Sequence, residues 1–223
     1  MGFKHVRHRI GHGVPTATAL CLVLIATPEA ADEYAGEGWQ PGRQVDGIEL
    51  YRRPVAGSAF MAVRACSRFG APPVRLYRIL TDYGQFEHFV PDVAESRVLW
   101  RQGQRQQIYQ RLELSAPLKD RHYVIHSEGQ GGVYGSEPLS IRWSLDAVAT
   151  ARLPDLAVVP LAFSGIWRLS ASAGGQATRA CYSLHVDPGG HLPAWLFVRQ
   201  LENYVIRVIR AIMRRLLTLP GDA

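Results

Sequence analysis

The sequence predicts an α+β domain in which a curved antiparallel sheet is covered by one long C-terminal helix. Three observations predict it. Strand-like segments follow one another with only Gly- or Pro-containing turns between them, so tight antiparallel connections suffice and a parallel sheet is disfavoured. After Pro188-Gly189-Gly190 the apolar period changes from two to between three and four residues. The 223 residues contain no internal repeat or low-complexity tract, which fits one generous domain.

The N-terminus reads differently from the rest. Lys4, Arg7 and Arg9 precede an apolar run from Val14 to Ala26, and the small residues Ala26, Ala30 and Ala31 follow. The run is shorter than the roughly 20 residues a bilayer span needs. This pattern predicts a secretory signal peptide over residues 1–30, with an uncleaved anchor as the alternative. Cys21 lies inside the apolar run and not at its end, which argues against a lipid-modified cysteine. The domain proper is then residues 31–223, exported to the periplasm or secreted from a bacterium. Removing residues 1–30 takes away three cations and Glu29, so the formal charge of +6 falls to about +4. That charge suits contact with an anionic membrane surface and does not call for nucleic acid. A mean hydropathy of −0.06 argues against a polytopic membrane protein. The exported chain keeps Cys66 and Cys181. An oxidising compartment favours a disulfide between them, and strand settings equally suit buried free thiols, so both readings stay open.

Along the chain, Asp32 to Gln44 is polar and Gly-rich and reads as a lead-in or short helix pinned by Trp39. Ile48–Arg52 alternates and predicts a strand, Pro54 to Ser58 a turn, and Ala59–Cys66 a second strand. Ala71-Pro72-Pro73 starts a helix whose apolar face is Val74, Tyr77, Ile79 and Leu80, ending at Gly84. Strands are then expected at Ser96–Trp100, Gln107–Leu114, His122–Ser127, Leu139–Leu145, Phe163–Ser170 and Arg179–Val186. The final helix, from about Leu192 to Leu219, carries Val198, Leu201, Val205, Val208, Ile212 and Leu216 on one face. At 1.5 Å per residue it is about 40 Å long. Arg207, Arg210 and Arg214 form a basic stripe roughly opposite, either a solvated face or a guide toward anionic lipid.

Catalytic signatures are scarce. The sequence has no Gly-x-Ser-x-Gly elbow, no phosphate-binding loop and no His-Glu-x-x-His. The glycines from Gly129 to Gly135 lack dinucleotide spacing and read as a hairpin turn. His122 and His126 fall on one face of a strand about 13 Å apart, too far for one metal ion. Trp143, Trp167 and Trp195 suit a wall that meets both ligand and water, though any of them also suits plain core packing. Asp120-Arg121 reads as an internal ion pair, or Arg121 offers its guanidinium to a ligand headgroup.

In order, several segments resemble the START-domain lipid-transfer family of the helix-grip (SRPBCC) superfamily. They are Gly38-Trp39, Asp46 to Arg53, Phe60 to Arg64, Ala71-Pro72, Leu80-Thr81-Asp82, Val93 to Leu99, Tyr109, Pro117 and Asp120 to Val124, and Gly190 to Leu196. The family's Arg-Asp order is inverted here to Asp120-Arg121. The resemblance spans roughly residues 36–217 and implies a helix gripped by a curved antiparallel sheet around an apolar cavity. It implies non-catalytic binding and transport or sensing of a lipid or sterol-like molecule by a monomer, with no cofactor and no metal. Inward-facing positions chosen on this basis as ligand-binding are Tyr109, Arg121, Trp143, Trp167, Trp195, Val198 and Glu202. The alternative is a cyclase- or hydrolase-type enzyme on the same fold, using Arg121, Glu113, His126 and His185.

Overall fold

The computed structural model of the chain describes residues 1–2, 38–114, 119–131, 138–190 and 192–219. All but the first two residues of the predicted signal peptide, Pro117 and most of the Gly129–Gly135 turn lie outside these residues. Among the described residues nine strands form one sheet: β1 (Gln40–Val45), β2 (Ile48–Arg53), β3 (Ala62–Phe69), β4 (Val93–Gln102), β5 (Arg105–Leu112), β6 (Arg121–Gln130), β7 (Leu139–Leu145), β8 (Ala162–Ser172) and β9 (Ala177–Asp187). Helix α1 (Pro73–Thr81) and a 3₁₀ turn at Tyr83–His88 separate β3 from β4, a one-turn α2 (Ala147–Thr150) follows β7, and α3 (Ala194–Thr218) closes the chain.

The sheet order is β1-β2-β3-β9-β8-β7-β6-β5-β4, antiparallel throughout. From β4 to β9 the chain is the expected meander. The jump lies earlier, where α1 and the 3₁₀ turn carry the chain from β3 to the opposite edge, so that β9 returns beside β3. At that seam Cys66 and Cys181 are register partners and are joined by a disulfide. Of the two readings the sequence left open, free and paired thiols, the structure shows the paired one.

The lead-in differs from expectation. Residues 40–45 form a strand paired with β2, not a helix. The cause is local: Asp46 and Gly47 both have positive φ, 49° and 77°, the two-residue hairpin geometry that Asp-Gly favours. Trp39 is buried, with the guanidinium of Arg64 4.1 Å and that of Arg53 4.6 Å from its ring, so the indole does pin this segment. In α1 the core-facing residues are Leu76, Ile79 and Leu80, whereas Val74 is exposed.

Helix α3 buries a broad stripe that includes Leu201, Val205, Val208, Ile209, Ile212 and Leu216 against the concave inner face of the sheet. That face is read off the strand period of two: Ile108 on β5, Ile125 on β6, Ile141 on β7, Leu169 on β8 and Leu184 on β9. Each such fully buried side chain contributes about 1.5–3 kcal/mol of transfer free energy. Polar contacts fix the helix along its length. Glu202 meets Arg52 of β2 at 2.5 Å, and Arg75 of α1 caps the last turn by donating to the carbonyls of Leu216 (3.1 Å) and Leu219 (2.8 Å). The predicted basic stripe is partly ion-paired: Arg207 holds Asp92 and Arg210 holds Asp46.

Candidate functional site

Between α3 and the inner face lies a cavity in two chambers. The outer one, about 420 Å³, opens beside the N-terminal half of α3 and is walled by Leu112, Val186, Leu192, Phe197 and Leu201. The inner one, about 50 Å³, is lined by aromatic and aliphatic side chains, with Gln110 as its one amide. Tyr123, Phe163 and Tyr204 line both chambers and form the partition between them.

The inner chamber is built from strand alternation. Trp143, Trp167 and Tyr182 project inward from β7, β8 and β9, with Trp167 stacked on Tyr182 at 4.4 Å and 7°. Trp143 tilts against the same tyrosine at 5.6 Å. Gly165 makes room for Trp143, since a Cβ there would lie 2.1 Å from Cζ2 of the indole. The polar atoms at this depth belong to neutral groups. Tyr83 shares a hydrogen bond of 2.7 Å with Ser127, and Tyr123 donates to Oε1 of Gln110 at 3.2 Å. Gln110 in turn donates to Ser96 at 3.1 Å. Burial pushes the Tyr83 phenol up to about 12 and raises Tyr123, Tyr182 and Tyr204 as well. All four phenols therefore stay neutral at ordinary pH.

The outer chamber holds the charges. Asp92 and Arg207 pair with each other there. Arg121 is only 8 % exposed, and its Nε donates to the Pro188 carbonyl at 2.9 Å while Nη1 donates to that of Lys119. Burial lowers its pKa, though a guanidinium stays charged at neutral pH. The expected pairing with Asp120 is not made. Asp120 turns instead to Arg111 (3.4 Å) and to the amide of Leu114 (3.2 Å).

The structure thus brings together Arg121, Trp143 and Trp167 of the residues singled out from the sequence. The others sit elsewhere. Tyr109 points to the outer face of β5, packed at 6.2 Å against His122 and under Arg97, because its neighbour Gln110 takes the inward position. Trp195 is 76 % exposed, on the first turn of α3. Val198 packs against the core beside the chamber without lining it. Glu202 is buried on the side of α3 that meets Arg52 and Arg43, away from the lining. Of the groups suggested for catalysis, Glu113 is exposed, and two face outward: His126 pairs with Asp146 at 2.8 Å, and His185 contacts Ser58 at 3.1 Å. Burial lowers the pKa of His185.

The tyrosines and Phe163 escaped sequence reasoning although the signal was present. Arg121, Tyr123 and Ile125 share one face of β6 by period two, and Leu201, Tyr204 and Val208 share one face of α3. A second recess, about 660 Å³, lies on the outer face across β5 to β9, between Trp39 and Trp100. It is the larger by volume and the more open to solvent, with Ser144, Ser164 and Ser183 in its lining, and so desolvates a ligand less completely.

Residues 69–213 match the family described as polyketide cyclase / dehydrase and lipid transport. A STAR-related lipid transfer protein of Xanthomonas axonopodis superposes with a TM-score of 0.71 at 25 % identity, covering 82 % of this chain and 100 % of that one. Human STARD10 superposes with a TM-score of 0.70 at 17 % identity, over 82 % of this chain and 74 % of that one, a likeness of fold. An uncharacterized protein of Pseudomonas aeruginosa is 24 % identical over 188 residues, 82 % of this chain and 88 % of that one.

Proposed function

The chain belongs to the polyketide cyclase/dehydrase and lipid-transport family, with the helix-grip architecture of START-domain lipid-transfer proteins, and we propose that it is a non-catalytic carrier or sensor of a lipid or similar apolar molecule. The observation that carries this reading is the chambered cavity between α3 and the sheet, walled by apolar and aromatic side chains. Removing apolar surface from water yields about 25 cal/mol per Å², so such walls hold a ligand without a covalent step. The carrier reading is favoured over an enzyme because His126 and His185 face away from the cavity, Glu113 lies outside its lining, and Asp92, the carboxylate that does line it, is held by Arg207.

Export accompanies this reading. A disulfide joining two buried strands of one sheet favours an oxidising compartment, in keeping with the N-terminal pattern of cations and apolar residues. Trp143 and Trp167 in the cavity wall supply the test. Titration of the purified protein with retinol or oleyl alcohol is expected to change tryptophan emission saturably at one molecule per chain, with a smaller change in Trp167→Phe. An unsaturable response, equal in the variant, would count against cavity binding.

A further inference from the structure

We infer that the outer chamber receives an anionic head group, a carboxylate or phosphate monoester, on the guanidinium of Arg121, with the ligand's apolar body directed toward the Tyr123–Phe163–Tyr204 partition. This rests on the cavity-binding reading above and adds the chemical class of the ligand. Arg121 is over nine-tenths buried and lines the chamber. Both of its hydrogen-bond acceptors, the carbonyls of Pro188 and Lys119, are uncharged. Neighbouring carboxylates are engaged elsewhere, Asp120 with Arg111, Asp92 with Arg207 and Asp187 with the amide of Gly189. The chamber therefore carries one cation that no carboxylate of the described residues neutralises.

A buried charge is costly unless paired, and carbonyl dipoles compensate it only in part. An anion entering the chamber supplies the missing partner. The guanidinium suits it because Nη2 donates to no described residue, and a planar fork meets a carboxylate or phosphate oxygen pair with two parallel hydrogen bonds. Depth enforces the orientation. Beyond the partition the chamber offers only neutral phenols, an amide and apolar walls, where a charged head would stay unpaired.

The experiment compares dodecanoate, dodecyl phosphate and dodecanol, which share one apolar body, by titration calorimetry at pH 7. The wild-type protein is expected to bind at least one of the two anions about tenfold or more tightly than the alcohol, about 1.4 kcal/mol. Whichever anion is preferred identifies the head group. In Arg121→Gln the preference falls to about one while dodecanol binds within about twofold of wild type. Arg121→Lys, which keeps the charge and gives up the double carbonyl contact, retains the preference and decides the matter if Arg121→Gln does not fold. Equal binding of anions and alcohol by the wild type overturns the inference and leaves the cavity reading standing. Parallel loss of all three ligands in a folded Arg121→Gln also overturns it, marking Arg121 as a structural tie between β6 and the Pro188 turn. Failure of all three to bind the wild type removes the inference together with the cavity reading.

Discussion

Tyr123 of β6 and Phe163 of β8 meet just past the end of β7, their ring centroids 4.6 Å apart. At this level β6 has no β7 partner, and the segment leading into β8 bonds to it directly: the His122 amide donates to the Val158 carbonyl at 3.3 Å and the Val158 amide to that of Asp120 at 3.0 Å, which brings the two rings together. Tyr204 reaches this pair from α3 and completes the partition between the chambers.

Replacing Tyr204 with Ala is expected to join the chambers. Affinity measured across a series of alkanols should then peak at a longer chain than in the wild type, while Tyr204→Phe keeps the wild-type optimum. An unchanged optimum in Tyr204→Ala would show that ligands do not reach the partition.

Gly165→Ala should distort the floor of the inner chamber. Its Cβ would meet the Trp143 ring at 2.1 Å and the backbone oxygen of Ser183 at 2.6 Å, and the backbone contact is not relieved by a side-chain rotation. A loss of about 1–3 kcal/mol in urea unfolding is expected, with an altered near-ultraviolet circular dichroism signal from Trp143.

Glu202, 1 % exposed, is anchored by Arg52, whose side chain is 40 % exposed. Glu202→Ala therefore costs less than the roughly 3–5 kcal/mol of a fully buried pair, about 1–3 kcal/mol by chemical denaturation. Because Glu202 does not line the cavity, ligand selectivity should be preserved where stability is not.

The buried phenols make the fold sensitive to alkali. Burial pushes Tyr83 up to about 12 and raises Tyr123, Tyr182 and Tyr204 above the usual phenol value of 10.0. Below pH 10 both folded and unfolded chains keep these protons. Above it the unfolded chain releases them first, so stability falls as pH rises through the folded pKa values. For Tyr83 alone the loss is about 2–3 kcal/mol. Denaturation midpoints measured from pH 8 to 12 should be flat at first and drop steeply above about 10, and a Tyr83→Phe variant should drop less.

The architecture was legible in the sequence because periodicity reports burial. The later strands and α3 were placed within a few residues, since period two and period 3.6 are imposed by one wetted and one buried face. The β1–β2 hairpin was missed although Asp46-Gly47 carried its turn signal, because β1 is almost entirely exposed and shows no apolar alternation. Site residues were harder to read. Trp143 and Trp167 reached the cavity, but Tyr109 was misplaced by one position on β5, which in a strand reverses the face. Glu202 fell on the buried side of α3 yet toward β2, a distinction fixed by how the helix is rotated against the sheet and absent from its apolar stripe. The β9–β3 pairing joins residues far apart in the chain and left only the two cysteines as a trace.

The measurement that tests the central claim most directly is native mass spectrometry of the purified protein, with organic extraction of whatever it carries. The account predicts one apolar molecule per chain, either co-purified or taken up from a panel of fatty acids, sterols, quinones and phospholipids. A protein that emerges empty and takes up none of them would contradict it.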